Sequence, residues 1–122
     1  MTSVAGSSDV FIGGVIAYHQ RVKMDVLKVP GALIEEFGVV SEEVAVAMAD
    51  GVAALLGATW AIATTGVAGP GPSGGIRGGT VWIAIRGPIN QSTELEIQGG
   101  REEVRNVSVS SAITTFARIL TS

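Results

Sequence analysis

The stretch from Thr65 to Thr80, TGVAGPGPSGGIRGGT, constrains the possible folds of this chain more than any other. It carries seven of the seventeen glycines and two of the four prolines. Such a density disfavours helix and strand alike, because glycine loses the most backbone entropy on ordering and proline has no N–H to donate. One apolar run ends at Thr64 and another begins at Val81, so the stretch reads as a long loop joining two buried strands. Loops of this length are uncommon in compact domains and are usually either functional or disordered.

What flanks the loop sets the fold class. Val10–Tyr18 (VFIGGVIAY) is apolar without alternation, the pattern of a strand covered on both faces, and Gly13-Gly14 suggests a bulge or a close backbone approach. Val22, Val26 and Val29 then recur at helical spacing until Pro30, and Ala32–Phe37 makes a further helical turn ended by Gly38. Ser41-Glu42-Glu43 starts a helix with a capping hydroxyl and two carboxylates suited to the positive end of its dipole. Val44, Ala47, Met48, Gly51 and Leu55 form its apolar face, and Gly57 is the expected C-cap. Ala58–Thr64 and Val81–Ile85 are the strands on either side of the loop. After a turn at Gly87-Pro88-Ile89-Asn90, Thr93, Leu95 and Ile97 alternate with Glu94 and Glu96, as in a half-exposed strand paired antiparallel to Val81–Ile85. A closing helix follows Gly99-Gly100, with Val104, Val107, Ile113, Phe116 and Leu120 on it. Alternating helices and buried strands followed by a hairpin predict an α/β domain with a mixed sheet.

Composition narrows the function. The chain is 47% hydrophobic and only 16% charged, which argues against disorder, and its 122 residues suffice for one core. A net charge of −3 with scattered basic residues argues against nucleic-acid binding, which needs clustered Lys and Arg. There is no cysteine and His19 is the single histidine, so neither thiolate chemistry nor a zinc site is expected. No run approaches the ~18–20 apolar residues of a membrane span, and MTSVAGSSD is no signal peptide. No membrane association and a cytoplasmic location are the expectations.

Four groups of residues can carry chemistry. Gly69-Pro70-Gly71-Pro72-Ser73-Gly74 spells G-x-G-x-x-G, but that fingerprint requires a helix after the glycines, where this chain has a strand. Tyr18 and Lys23 can share the carboxyl edge of the sheet with Thr65, where open α/β sheets bind ligands; the plain alternative is an interfacial tyrosine and a surface lysine. Ser7-Ser8 is either a simple turn or a source of a nucleophile activated by a lysine of depressed pKa. Arg101 and Arg105, one helical turn apart, fit either a phosphate or salt bridges to Glu102 and Glu103.

Taken together, Gly6-Ser7-Ser8, Tyr18 with Lys23, Val40–Ala49 (VSEEVAVAMA), Thr65–Gly71 (TGVAGPG), Gly78–Trp82 (GGTVW) and the G-x-R-x-x-V-R of Gly99–Arg105 occur in the order of a known family. The chain resembles, over essentially all its length, the CinA C-terminal domain family of nicotinamide-nucleotide amidohydrolases. The resemblance implies a three-layer α/β/α fold and metal-independent, cofactor-free hydrolysis of nicotinamide mononucleotide to nicotinic acid mononucleotide and ammonia. It implies Ser8 as nucleophile, Lys23 as base, Tyr18 as orienter or proton relay, and Thr65 with the N–H groups of Gly66 to Gly69 around substrate and oxyanion. Ser7, Gly66, Ala68 and Gly69 would line the substrate, with Arg101 or Arg105 on its phosphate. His19-Gln20 and Ala5 depart from the family pattern, which usually has Ser-Asn and Pro there. The family's first helix and E-S-x-T-G-G segment are also missing from these residues, so a single CinA C-terminal-like domain over 1–122, incomplete at its N-terminus, is expected. The alternative is a catalytically impaired nucleotide-binding or assembly module with the same fold, and a homo-oligomer is compatible with either.

Overall fold

The computed structural model describes Met1–Thr121. A 3-10 turn at Ser7–Asp9 leads into an irregular segment, followed by α1 (Gln20–Asp25), α2 (Gly31–Phe37), α3 (Glu42–Leu56), β1 (Ala61–Gly66), β2 (Thr80–Arg86), β3 (Gln91–Glu96) and α4 (Arg101–Thr121). The strands form one sheet in the order β1-β2-β3, antiparallel throughout.

Side-chain alternation in the sheet creates two dissimilar faces. Ala61, Ala63 and Ala84 lie on one of them, and their small side chains admit Val44, Ala45, Met48 and Ala49 of α3. Leu27, Val29 and Ile34, from α2 and the turn before it, extend the same core. On the opposite face Val81 and Ile83 meet Val104 and Ala112 of α4. Trp60, just ahead of β1, adds an edge-to-face contact with Phe116, the ring centroids 5.3 Å apart. The result is a three-layer α/β/α arrangement.

The expected caps are present. The Ser41 hydroxyl accepts from the Val44 N–H at 3.3 Å and donates to the Gly38 carbonyl at 2.8 Å, while Gly57 closes α3 in the left-handed conformation, φ 66°. On β3, Leu95 is paired with Val81 and Thr93 with Ile83 on the α4 side, and Glu96 bonds to Thr80.

Two expectations are corrected. Val10–Tyr18 forms no strand and pairs with none, with Phe11, Gly13, Val15 and Ala17 half-buried and Ile12, Gly14, Ile16 and Tyr18 exposed. Val15 and Ala17 pack against the α3-side core, so one side of the segment is covered and the other is not. Its apolar composition suits a two-sided burial that it does not have among the described residues. For the same reason the sheet is antiparallel where a mixed one was expected, because the segment that would have supplied a parallel strand does not join the ladder.

Candidate active site

Lys23 lies in α1, six residues long, whose N-cap is His19: its Nδ1 accepts from the Arg21 N–H at 3.0 Å. The lysine is only 6% exposed, which overturns the reading of it as a surface residue. Its Nζ donates to the Ala17 carbonyl at 2.8 Å, at the peptide that joins Ala17 to Tyr18. Burial pushes its pKa below the ordinary lysine value, because desolvation penalises the charged ammonium. Once neutral, this amine can keep one N–H on Ala17 and still offer a lone pair, as a general base must. Tyr18 projects outward and is 86% exposed, so it is not the interfacial tyrosine of the plain alternative.

Thr65 closes the buried face of β1. It is 6% exposed and its hydroxyl donates to the Val39 carbonyl at 2.9 Å, tying the strand end to the loop that precedes α3. The donor is thereby used and the oxygen keeps acceptor capacity, which suits it to receive a substrate N–H rather than to hold an oxyanion. Beyond it the glycine-rich stretch is more ordered than its composition suggests. Val67 exchanges hydrogen bonds with Thr80 and Gly79, at 2.9 and 2.7 Å. Ser73 and Ile76 exchange two of 2.9 Å across Gly74-Gly75, whose φ angles of 56° and 79° make a tight left-handed hairpin turn. No helix opens after the glycines, so the dinucleotide fingerprint lacks its context.

Gly66 stands where a side chain would strike Val81, at 2.7 Å from Cγ2 and 2.8 Å from the Thr80 carbonyl. Ala68 is half-buried against the α4-side core. The N–H groups of Ala68 and Gly69 make no hydrogen bond among the described residues, leaving two donors between β1 and the hairpin turn. Arg101 Nη1 donates to the Gly69 carbonyl at 3.2 Å, so α4 begins against this loop. Neither Arg101 nor Arg105 pairs with Glu102 or Glu103 among the described residues, and both are exposed.

Ser7 and Ser8 occupy the 3-10 turn, Ser7 half-buried and Ser8 exposed. Ser7 accepts through its carbonyl from the N–H groups of Val10 and Phe11, at 3.1 and 2.7 Å. The structure thus brings Lys23 to the Ala17 carbonyl, next to Tyr18 in the chain, and Arg101 to Gly69. No hydrogen bond links Ser8 to Lys23 or Thr65 among the described residues. The sequence reading missed the cavity of about 300 Å³ between Pro70, Arg77 and Gly78 on one side and Glu96–Gly99 on the other. It also missed the Val39 carbonyl as the partner of Thr65. A backbone acceptor 26 residues away leaves no trace in side-chain identity.

Among the described residues, no helix is long and apolar enough to cross a membrane. The family model for the CinA C-terminal domain matches residues 1–120. A "CinA-like protein" of a Synechococcus strain is 46% identical over 93% of the chain, and one from Synechocystis is 43% identical over all of it. The chain spans 28% and 30%, respectively, of those two proteins. Among solved structures, competence/damage inducible protein CihA from Agrobacterium tumefaciens superposes with a TM-score of 0.90 at 33% identity, over 96% of this chain and 73% of that one. The competence damage-inducible protein A (ComA) of Klebsiella pneumoniae gives 0.94 at 29% identity, over 98% and 76%. On sequence, motifs and fold, the chain belongs to the CinA C-terminal domain family.

Proposed function

We propose that this domain hydrolyses the carboxamide of nicotinamide mononucleotide in the cytoplasm, releasing nicotinic acid mononucleotide and ammonia. The observation that carries the reading is Lys23: a buried amine whose pKa is lowered by desolvation, donating to the Ala17 carbonyl. Structural lysines seldom bury their nitrogen without a carboxylate partner, whereas a neutral amine is what a serine needs when no histidine is at hand.

In this proposal the Ser8 hydroxyl attacks the carboxamide carbon and its proton passes to Lys23 Nζ, with Tyr18 orienting or relaying. The oxygen of the tetrahedral intermediate accepts from the free N–H groups of Ala68 and Gly69, and Thr65 receives an N–H of the amide. Lys23 returns the proton to the departing nitrogen, ammonia leaves, and water attacks the acyl-serine to give the carboxylate and regenerate the hydroxyl. Ser7 and Gly66 line the substrate, and Arg101 and Arg105 supply exposed guanidinium groups for its phosphate. Positioned acid–base groups contribute ~10²–10⁴-fold to such a reaction.

One observation favours a second reading. Ser8 is exposed and is not bonded to Lys23 among the described residues, as expected of a nucleotide-binding or assembly module without turnover, alone or as a homo-oligomer. Calorimetry with nicotinamide mononucleotide alongside an ammonia assay separates the two. Ammonia release that disappears with Lys23→Ala supports the hydrolase; binding without release supports the module.

A further inference from the structure

Two residues in this fold occupy conformations or positions that their chemistry disfavours. Lys28 has φ 60°, a left-handed backbone that a residue with a Cβ adopts at a cost. Gly51 sits inside α3, where alanine would favour the helix more. Both converge on one turn. Leu27 and Val29, 3% and 2% exposed, flank Lys28 and bury themselves beneath α3. Gly51 is where that turn touches the helix: a Cβ at this position would fall 2.9 Å from the Leu27 carbonyl carbon and nearer still to its oxygen. The left-handed step at Lys28 then sends the Val29 N–H back to the Lys23 carbonyl at 2.9 Å. Val26 and Leu27 likewise donate to the Val22 carbonyl, at 3.0 and 3.3 Å. A six-residue helix is too short to hold itself in water, so α1 depends on this return of the chain for its placement.

We infer that Gly51 is a positioning residue for Lys23, acting through the Leu27–Val29 turn. The inference rests on the reading of Lys23 as the base. Without a side chain at 51, the Leu27 backbone lies directly on α3, Val29 is fixed, and the carbonyl it binds fixes Lys23 so that Nζ stays on Ala17. Any side chain at 51 lifts the turn and carries Lys23 with it. Interiors pack too densely to absorb such a displacement locally.

Lys23 and Lys28 are the only lysines in the chain, which gives the test an internal reference. In a brief acetic anhydride pulse read by mass spectrometry, exposed Lys28 should label ahead of buried Lys23. Gly51→Ala, under conditions where circular dichroism shows it folded, should raise the Lys23-to-Lys28 labelling ratio by about tenfold, as for a group whose local opening is made easier. It should also lower kcat with KM little changed. A folded Gly51→Ala whose labelling ratio equals the native one overturns the inference. Should the variant not fold, amide hydrogen exchange on the native protein decides: a protected Val29 N–H supports the clamp, and one that exchanges as fast as an open loop contradicts it. Neither labelling nor exchange requires substrate, so each can fail while the amidase reading stands, and can succeed if that reading falls.

Discussion

At the scale of single residues, the site is defined by where donors and protons are committed. Thr65, itself buried, donates its hydroxyl proton to the Val39 carbonyl, 2.9 Å away. Thr65→Val removes that donor in a similar volume and leaves the carbonyl of half-buried Val39 without this bond, so it should lower the unfolding free energy by about 0.5–1.5 kcal/mol. Thr65→Ser retains the hydroxyl and should lose much less of this bond. Urea denaturation of the two variants checks this; equal losses would mean that the methyl group, not the hydrogen bond, matters at 65. None of this was legible in the sequence. Thr65 stood out as a strand end beside a glycine-rich loop, but its partner is a backbone atom. Lys23 was singled out as a candidate base, but its burial was not legible, because a charged residue between Val22 and Met24 gives no sign of being buried.

At the scale of elements, local chemistry was readable wherever it was self-contained. Ser41 and Gly57 bounded α3 correctly, since a cap acts on N–H and carbonyl groups within its own turn. The Thr93–Leu95 alternation placed β3 on the correct face, because pleating alone sets it. Val10–Tyr18 was misread because its charge-free sequence records a preference for burial, while strand pairing also requires a neighbour's backbone. The left-handed Lys28 was not legible either, as lysine carries no signature of that conformation. Its strain does yield a prediction. Lys28→Gly removes the clashing Cβ, worth about 1–2 kcal/mol, against an entropic loss of about 0.5–1 kcal/mol for glycine. The turn keeps its shape, so the denaturation midpoint should rise by the equivalent of about 0.5–1 kcal/mol. A lower midpoint would show that the Lys28 side chain contributes more than its backbone costs.

At the scale of the whole molecule, a three-layer α/β/α body holds α1 and the glycine-rich loop on elements that the same α3-side core fixes: Leu27 and Val29 after α1, Ala61 and Ala63 before the loop. The loop that most constrained the sequence is organised by bonds to Thr80 and by Arg101 at the start of α4. The central claim, that Lys23 is the base of an amide hydrolase, is tested most directly by the pH dependence of ammonia release from nicotinamide mononucleotide, with Lys23→Arg alongside. A base works when unprotonated, and burial lowers the Lys23 pKa from 10.5, so kcat should climb with rising pH and reach half its maximum below that value. Arginine stays protonated throughout, so Lys23→Arg should lose ~10²–10⁴-fold in kcat with KM little changed. A native profile flat with pH, or a Lys23→Arg variant as fast as the native protein, would contradict the account.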